Sequence, residues 1–357
     1  MELINQTGVP TELLVSDHGT TASGAKKRAG VLVAKATFEV RADGSLDLVT
    51  DDPHPVLRGE EQTALGILPR DVGAPGQQGF EVLALAAAYA PTSTPVHERT
   101  VTMWVDQRRD DLRVFGDREW LEVDDRVAMT SPKPFSRMPL TWERAYGGTA
   151  QVWVDEHTQI PISHPYNALG RGFDAQPLAE GLCQQLRSPA SFPRVEHERV
   201  LPNIERTGEL IVTPDDDPTP CGWSPMPFEI GLPMKPAVDA SLAARESEAR
   251  EAALDAAPPG LRFATPRWQL PEAPPPLASI GLAGCRPHDK AFAFRWPRLA
   301  VFADYVLDGR SGARELRPSM LVLLPEEERF TVTYRDAFAF LVEEAGRERS
   351  MRLRLEE

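Results

Sequence analysis

The stretch Met138-Pro139-Leu140-Thr141-Trp142-Glu143-Arg144-Ala145-Tyr146-Gly147-Gly148 places two large aromatics, a carboxylate, a guanidinium and a glycine pair within a few residues. Glu143 is the group in it that could move a proton. In a cleft walled by Trp142 and Tyr146 it could serve as acid or base for a hydrolase of carbohydrate or peptide. Asp155 or Glu156 could complete a glycosidase pair, but carboxylates are so common in this chain that the pairing carries little information. The favoured reading is structural. Glu143 and Arg144 would be hydrogen-bonded charges that pin loops, and Trp142 and Tyr146 would be core or interface aromatics. Trp142 and Tyr146 fall one turn apart if the segment is helical. Gly147-Gly148 lets the backbone turn through positive φ without a Cβ penalty.

Other chemistry finds no pattern. The seven histidines include His157 and His164 as the closest pair, but no His-x-x-x-His, His-Glu-x-x-His or Cys-x-x-Cys spacing occurs, so no metal is expected. There is no Gly-x-Ser-x-Gly elbow, and no cysteine stands in a catalytic signature. Gly170-Arg171-Gly172-Phe173 is a glycine-arginine turn, not a phosphate cradle, and no cofactor is expected. Asp215-Asp216-Asp217 reads as a solvated turn, because Pro218-Thr219-Pro220 lacks the glycine and bidentate glutamate of a calcium loop. Cys221-Gly222-Trp223-Ser224-Pro225 reads as a buried bend.

Composition narrows the class. With 39 Lys and Arg against 53 Asp and Glu, the net charge of −14 excludes a sequence-independent nucleic-acid binder and an anionic membrane surface. It suits solubility, or docking onto a basic partner by electrostatic steering, and a merely acidic cytoplasmic protein is the favoured of the two readings. Cys183, Cys221 and Cys285 are few, odd in number and far apart, which fits a reducing compartment. The segment from Met1 to Gln6 lacks a basic region followed by an apolar run, and no apolar run reaches membrane-spanning length, so neither signal peptide nor span is expected. The 34 prolines outnumber the 25 glycines, and proline disfavours helix interiors and central strands. The expected product is many short strands on stiff connections.

The elements that must position these residues follow. Residues 31–40 read as a strand, turned at Asp43-Gly44 into Ser45-Leu46-Asp47-Leu48-Val49, the strongest hairpin signal in the chain. Phe80 to Tyr89 is an apolar strand expected to pair with Thr100 to Val105, and Leu112 to Arg118 is another. Residues 147–235 lose alternation and read as a convoluted segment pinned by aromatics and prolines. Asp239 to Ala256 is expected to be a surface helix, capped by Asp239 or Ser241 and stopped by Pro258-Pro259-Gly260. Strands return at Ala300–Leu307 (closed by Asp308-Gly309), Met320–Leu324 and Phe330–Tyr334. The fold class is mostly β: a unit over 1–145, an irregular segment with the helix over 146–257, and a second β unit over 258–357.

In order along the chain, several blocks resemble one known family. They are Lys35-Ala36-Thr37-Phe38, Gly116-Asp117-Arg118-Glu119-Trp120, Pro134-Phe135 with Met138-Pro139-Leu140, and Trp142 to Gly148. Asn167-Ala168-Leu169-Gly170-Arg171-Gly172-Phe173 follows, with Ala168 in place of the usual proline. Leu201 to Glu205, Pro220 to Pro225, Arg317-Pro318-Ser319-Met320 and Thr333-Tyr334-Arg335 complete the run. The family is the one catalogued as domain of unknown function 2169, and the resemblance covers residues 5–340. It implies a non-enzymatic cytoplasmic adaptor or chaperone that binds a type VI secretion toxin effector and helps load it onto the spike, at a PAAR-type tip. No catalytic residue is carried over. Trp142, Glu143, Arg144, Tyr146, Asn167, Arg171, Phe173, Asn203 and Trp223, all in the matching blocks, are expected to bind the partner or define the fold. The enzyme reading, with Glu143 as acid or base, stands as the alternative.

Overall fold

A computed structural model describes residues 1–20, 26–72, 79–123, 126–195, 199–226, 264–307, 310–342 and 349–356. Alternating apolar and polar residues make the principal strands. Phe330, Val332 and Tyr334 share one face of their strand, and Thr331 and Thr333 share the other. The larger sheet has ten strands. Its main path runs Glu2–Asn5, Arg349–Glu356, Ala300–Leu307, Arg310–Leu324, Arg329–Val342, Lys26–Val40, Thr11–Thr20. Strands from the two ends of the chain interleave. Glu2–Asn5 runs parallel to Arg349–Glu356, and Lys26–Val40 pairs with the whole of Arg329–Val342. The two sequential β units expected from the sequence are therefore not the layout found.

The second sheet orders Ile204–Arg206, Arg108–Phe115, Glu98–Val105, Ser279–Ala283 and Phe292–Arg295. It faces the first across an aromatic stack. Phe38 and Phe330 stack at 4.9 Å between centroids, and Phe330 stacks on Phe294 of the second sheet at 4.0 Å. One apolar core joins residues of both sheets, from Val9 to Leu353. The Asp43-Gly44 hairpin forms as expected. Gly44 takes φ +82, and the Arg41 amide donates to the Ser45 carbonyl at 2.9 Å.

The expected pairing of residues 80–89 with 100–105 does not occur. Phe80–Ala84 lies parallel to Arg310–Leu324, and Ala87–Tyr89 pairs with Arg137–Pro139. Glu98–Val105 pairs instead with Arg108–Phe115 and Ser279–Ala283. A strand buried on both faces carries no alternation, so its apolar run holds no information on its neighbour. The expected helix over 239–256, its caps, and the Asp308-Gly309 turn lie outside the described residues.

The 147–195 stretch is more ordered than its composition suggests. Thr149–Trp153 pairs with Gln159–Ser163 and Arg194–Val195. The helix Gln176–Leu186 buries Ala179, Leu182 and Cys183 in a small core with Val152, Val154 and Ile162. This helix hides in the sequence. Ala175 stands at its N-cap, Pro177 is in its first turn, Gly181 interrupts it, and Arg187, not glycine, takes the left-handed position after it (φ +55). Asp174 supplies the missing cap by accepting the Gln176 amide at 2.9 Å.

Candidate functional site

The Trp142 segment makes a single 3-10 turn, Trp142–Arg144, and then leaves helical geometry at Ala145 (φ −85, ψ 166). Trp142 and Tyr146 are therefore not stacked on one helix face. Tyr146–Gly147 becomes a short strand parallel to Arg171–Gly172. Gly147 and Gly148 adopt φ +137 and +125, as the glycine pair suggests, and a Cβ at Gly147 would run into the Asn167 backbone.

Asn167, with no exposed surface, is the tie at the centre of this corner. Its Nδ2 donates to the Trp142 and Tyr146 carbonyls, both at 2.9 Å, and its carbonyl accepts the Gly148 amide at 2.8 Å. The Arg171 amide donates to the Ala145 carbonyl at 3.0 Å, and its Nε to the Glu143 carbonyl at 2.8 Å. The Phe173 amide donates to the Gly147 carbonyl at 3.0 Å. His164 meets both Tyr146 and Phe173 edge-on, at 5.4 and 5.2 Å. Its Nδ1 accepts the Tyr166 and Asn167 amides at 3.2 Å, which holds the imidazole neutral at that nitrogen. Burial lowers the His164 pKa and raises that of the Tyr146 hydroxyl, which the Asp217 carboxylate raises further.

Two further ties anchor the corner. Arg144 Nη1 donates to Asn203 Oδ1 at 3.1 Å, and Asn203 Nδ2 donates to the Phe115 carbonyl and to Asp117 Oδ1, both at 3.1 Å. Burial, then the neighbouring Arg171 charge, lowers the Arg144 pKa. Trp142 Nε1 donates to the Ser224 carbonyl at 2.9 Å, and the adjacent Trp223 donates from Nε1 to the buried Asp110 at 3.1 Å. Cys221 to Pro225 is the buried bend expected, and burial pushes the Cys221 thiol up to about 12, away from thiolate chemistry. Asp216 accepts the Val212 and Thr213 amides at 2.7 Å in an exposed turn.

Of the nine nominated residues, Trp142, Tyr146, Asn167, Arg171 and Phe173 meet in one corner, with Arg144, Asn203 and Trp223 tied to its edges. Glu143 is the exception, exposed on the outside of the 3-10 turn. Two clefts, of about 200 and 410 Å³, lie against the Pro325–Glu328 turn, and Glu143 lines neither. Among the described residues no group of three or more His, Cys, Asp or Glu side chains is placed to hold a metal ion.

A second buried cluster was not nominated. Asp71, fully buried, accepts Lys35 Nζ at 2.9 Å, the Leu57 amide at 2.7 Å and Thr333 Oγ1 at 2.6 Å. Lys35 is 2% exposed. Arg335 lies on the same strand face as Thr333, and burial pushes its guanidinium down to about 10 against the opposing pull of Asp71 and Glu81. The same sheet face thus joins the first and last of the ordered blocks, Lys35 with Thr333 and Arg335. Arg118 and Glu205 form another buried ion pair, in which burial lowers the arginine and raises the glutamate. Lys35, Arg118 and Glu205 all stand in the ordered blocks, but no spacing along the chain pairs Arg118 with Glu205 or points Lys35 to Asp71, because the partners come from distant segments.

These features define a mostly-β protein in which ordered sequence blocks build buried junctions. The chain belongs to the family described as "Uncharacterized protein conserved in bacteria (DUF2169)", which matches residues 25–335. No curated protein and no solved structure matches it. Among the described residues no helix is long and apolar enough to cross a membrane.

Proposed function

We propose that this chain is a non-enzymatic adaptor of the cytoplasm, which binds a type VI secretion toxin and helps load it onto a PAAR-type spike tip. The observation that carries the reading is how the nominated polar groups are used. Asn167, Asn203 and Trp142 direct their donors to backbone carbonyls inside the fold, and Trp223 directs its own to a buried carboxylate. Groups committed in this way shape a platform and are not free to act on a substrate. Glu143, the one candidate acid or base, projects from an exposed turn and lines neither cleft. The excess of acidic residues supports a basic protein partner through electrostatic steering.

Co-expression with candidate type VI toxins and PAAR-type spike-tip proteins from the same genome tests the reading. A complex that survives size exclusion, and is unchanged by Glu143→Gln, is expected. Recovery of the chain without either partner contradicts it.

A further inference from the structure

Arg317 and Arg335 come from the last two ordered sequence blocks, Arg317-Pro318-Ser319-Met320 and Thr333-Tyr334-Arg335. The large sheet brings them together. They are directly opposed on the antiparallel strands Arg310–Leu324 and Arg329–Val342. The next opposed pair is Pro318 with Tyr334, and the Tyr334 ring lies in the main core. Side chains alternate along a strand, so both arginines project from the other face, the one that carries Thr333 and Lys35. Cβ atoms of directly opposed residues stand about 5 Å apart, and like charges in that position repel.

Neither charge is matched by an ion pair. Arg335 is 9% exposed, and its Nε and Nη1 are buried without a hydrogen-bond partner. Asp71 and Glu81 attract it, but burial outweighs their pull. Asp71 already accepts Lys35, the Leu57 amide and Thr333. Arg317 is exposed, and among the described residues it forms no ion pair. Asp336, on which the Arg317 charge acts, is bonded to Arg314. A buried donor without an acceptor is costly, and more so when it carries charge. Two guanidinium groups side by side, one exposed and one with bare buried N–H groups, are built to receive an anion.

The planar fork of a guanidinium matches the two oxygens of a carboxylate. The net charge of −14 repels a polyanion such as a nucleic acid, whereas one carboxylate carried on a neutral or basic segment can approach. We propose that Arg317 and Arg335 bind an aspartate or glutamate side chain of a partner polypeptide, with Arg335 as the buried anchor and Arg317 as the exposed clamp. The site goes beyond the adaptor reading and does not depend on it.

The test uses the full chain with isotope-labelled arginine side chains. It is titrated at constant ionic strength with a capped peptide carrying one glutamate, with the glutamine counterpart, and with inorganic phosphate, while the Nε–H resonances are followed. The glutamate peptide should shift the Arg335 resonance saturably, and the glutamine peptide should not. Arg317→Gln alters an exposed side chain, so it should melt like wild type and bind the glutamate peptide about tenfold more weakly. Arg310→Gln, an exposed control at the far end of the same strand, should bind like wild type. Equal responses to the two peptides would overturn the site, as would a glutamate response that survives Arg317→Gln. A stronger response to phosphate than to the glutamate peptide would also overturn it, because the occupant would then be a phosphate. Each of these failures leaves the adaptor reading standing, since no toxin enters the measurement.

Discussion

Asp71 and Asn167 both stand wholly buried where several segments meet, yet they hold those segments by different physics. Asp71 is a carboxylate facing the ammonium of Lys35, and it gathers residues as distant as Leu57 and Thr333. Its attraction is Coulombic and acts in a medium of low dielectric, so removing one partner leaves the other charge buried and uncompensated. Asn167 is neutral, and its donors go to carbonyls of Trp142 and Tyr146, 25 and 21 residues away along the chain. Its loss costs hydrogen bonds but strands no charge. The first tie therefore joins the two ends of the chain through the large sheet. The second shapes one loop platform.

The comparison can be broken at either end. Asp71→Ala should cause the largest loss, about 3–5 kcal/mol, read as a fall in the urea midpoint with unchanged slope. Lys35→Met combined with Asp71→Leu should recover part of it, because the pair then leaves no unmatched charge while the Leu57 amide and the Thr333 hydroxyl still lose their acceptor. Equal losses in the single and double variants would show that shape, not charge, decides the site. Asn167→Ala should cost about 2 kcal/mol, since the Tyr146 carbonyl loses this donor while the Trp142 carbonyl keeps the Ala145 amide. Hydrogen exchange sharpens the contrast. Asn167→Ala should speed exchange in residues 164–173 and leave the Lys26–Val40 amides protected, whereas Asp71→Ala should expose both.

A smaller effect concerns pH. Burial holds the folded-state pKa of His164 below its ordinary value of about 6.5. The unfolded chain therefore takes up this proton first. The stabilising effect of the neutral ring is complete above about 6.5 and is lost as pH falls from there towards the lower folded value. Thermal melts between pH 7.5 and 5.5 should show this decline in wild type and less of it in His164→Gln. A slope identical in both proteins would remove His164 from the account. Smallest of all, Glu143→Gln should change stability by no more than about 0.5 kcal/mol, because the side chain is exposed.

The β class, the Asp43-Gly44 hairpin and the buried bend at Trp223 were legible because each depends on local chemistry: alternation, a left-handed glycine, an apolar cluster between prolines. The corner was legible as a set of residues, since Trp142, Tyr146, Asn167 and Arg171 recur in ordered blocks. Its geometry was not, because the donors of Asn167 choose carbonyls that no residue type reveals. The parallel pairing of Phe80–Ala84 was hidden by its uniform burial, and the helix Gln176–Leu186 by its Ala175 cap and internal Gly181. Lys35 gave no hint of Asp71, for an ion pair between distant segments has no spacing to recognise.

The most direct test of the proposed carrier role is light scattering of the complex purified after co-expression with a candidate type VI toxin from the same genome, for wild type and for Glu143→Gln. The account predicts the same defined complex from both proteins. A chain that emerges alone, and that turns over a glycan or peptide only while Glu143 is intact, would contradict it.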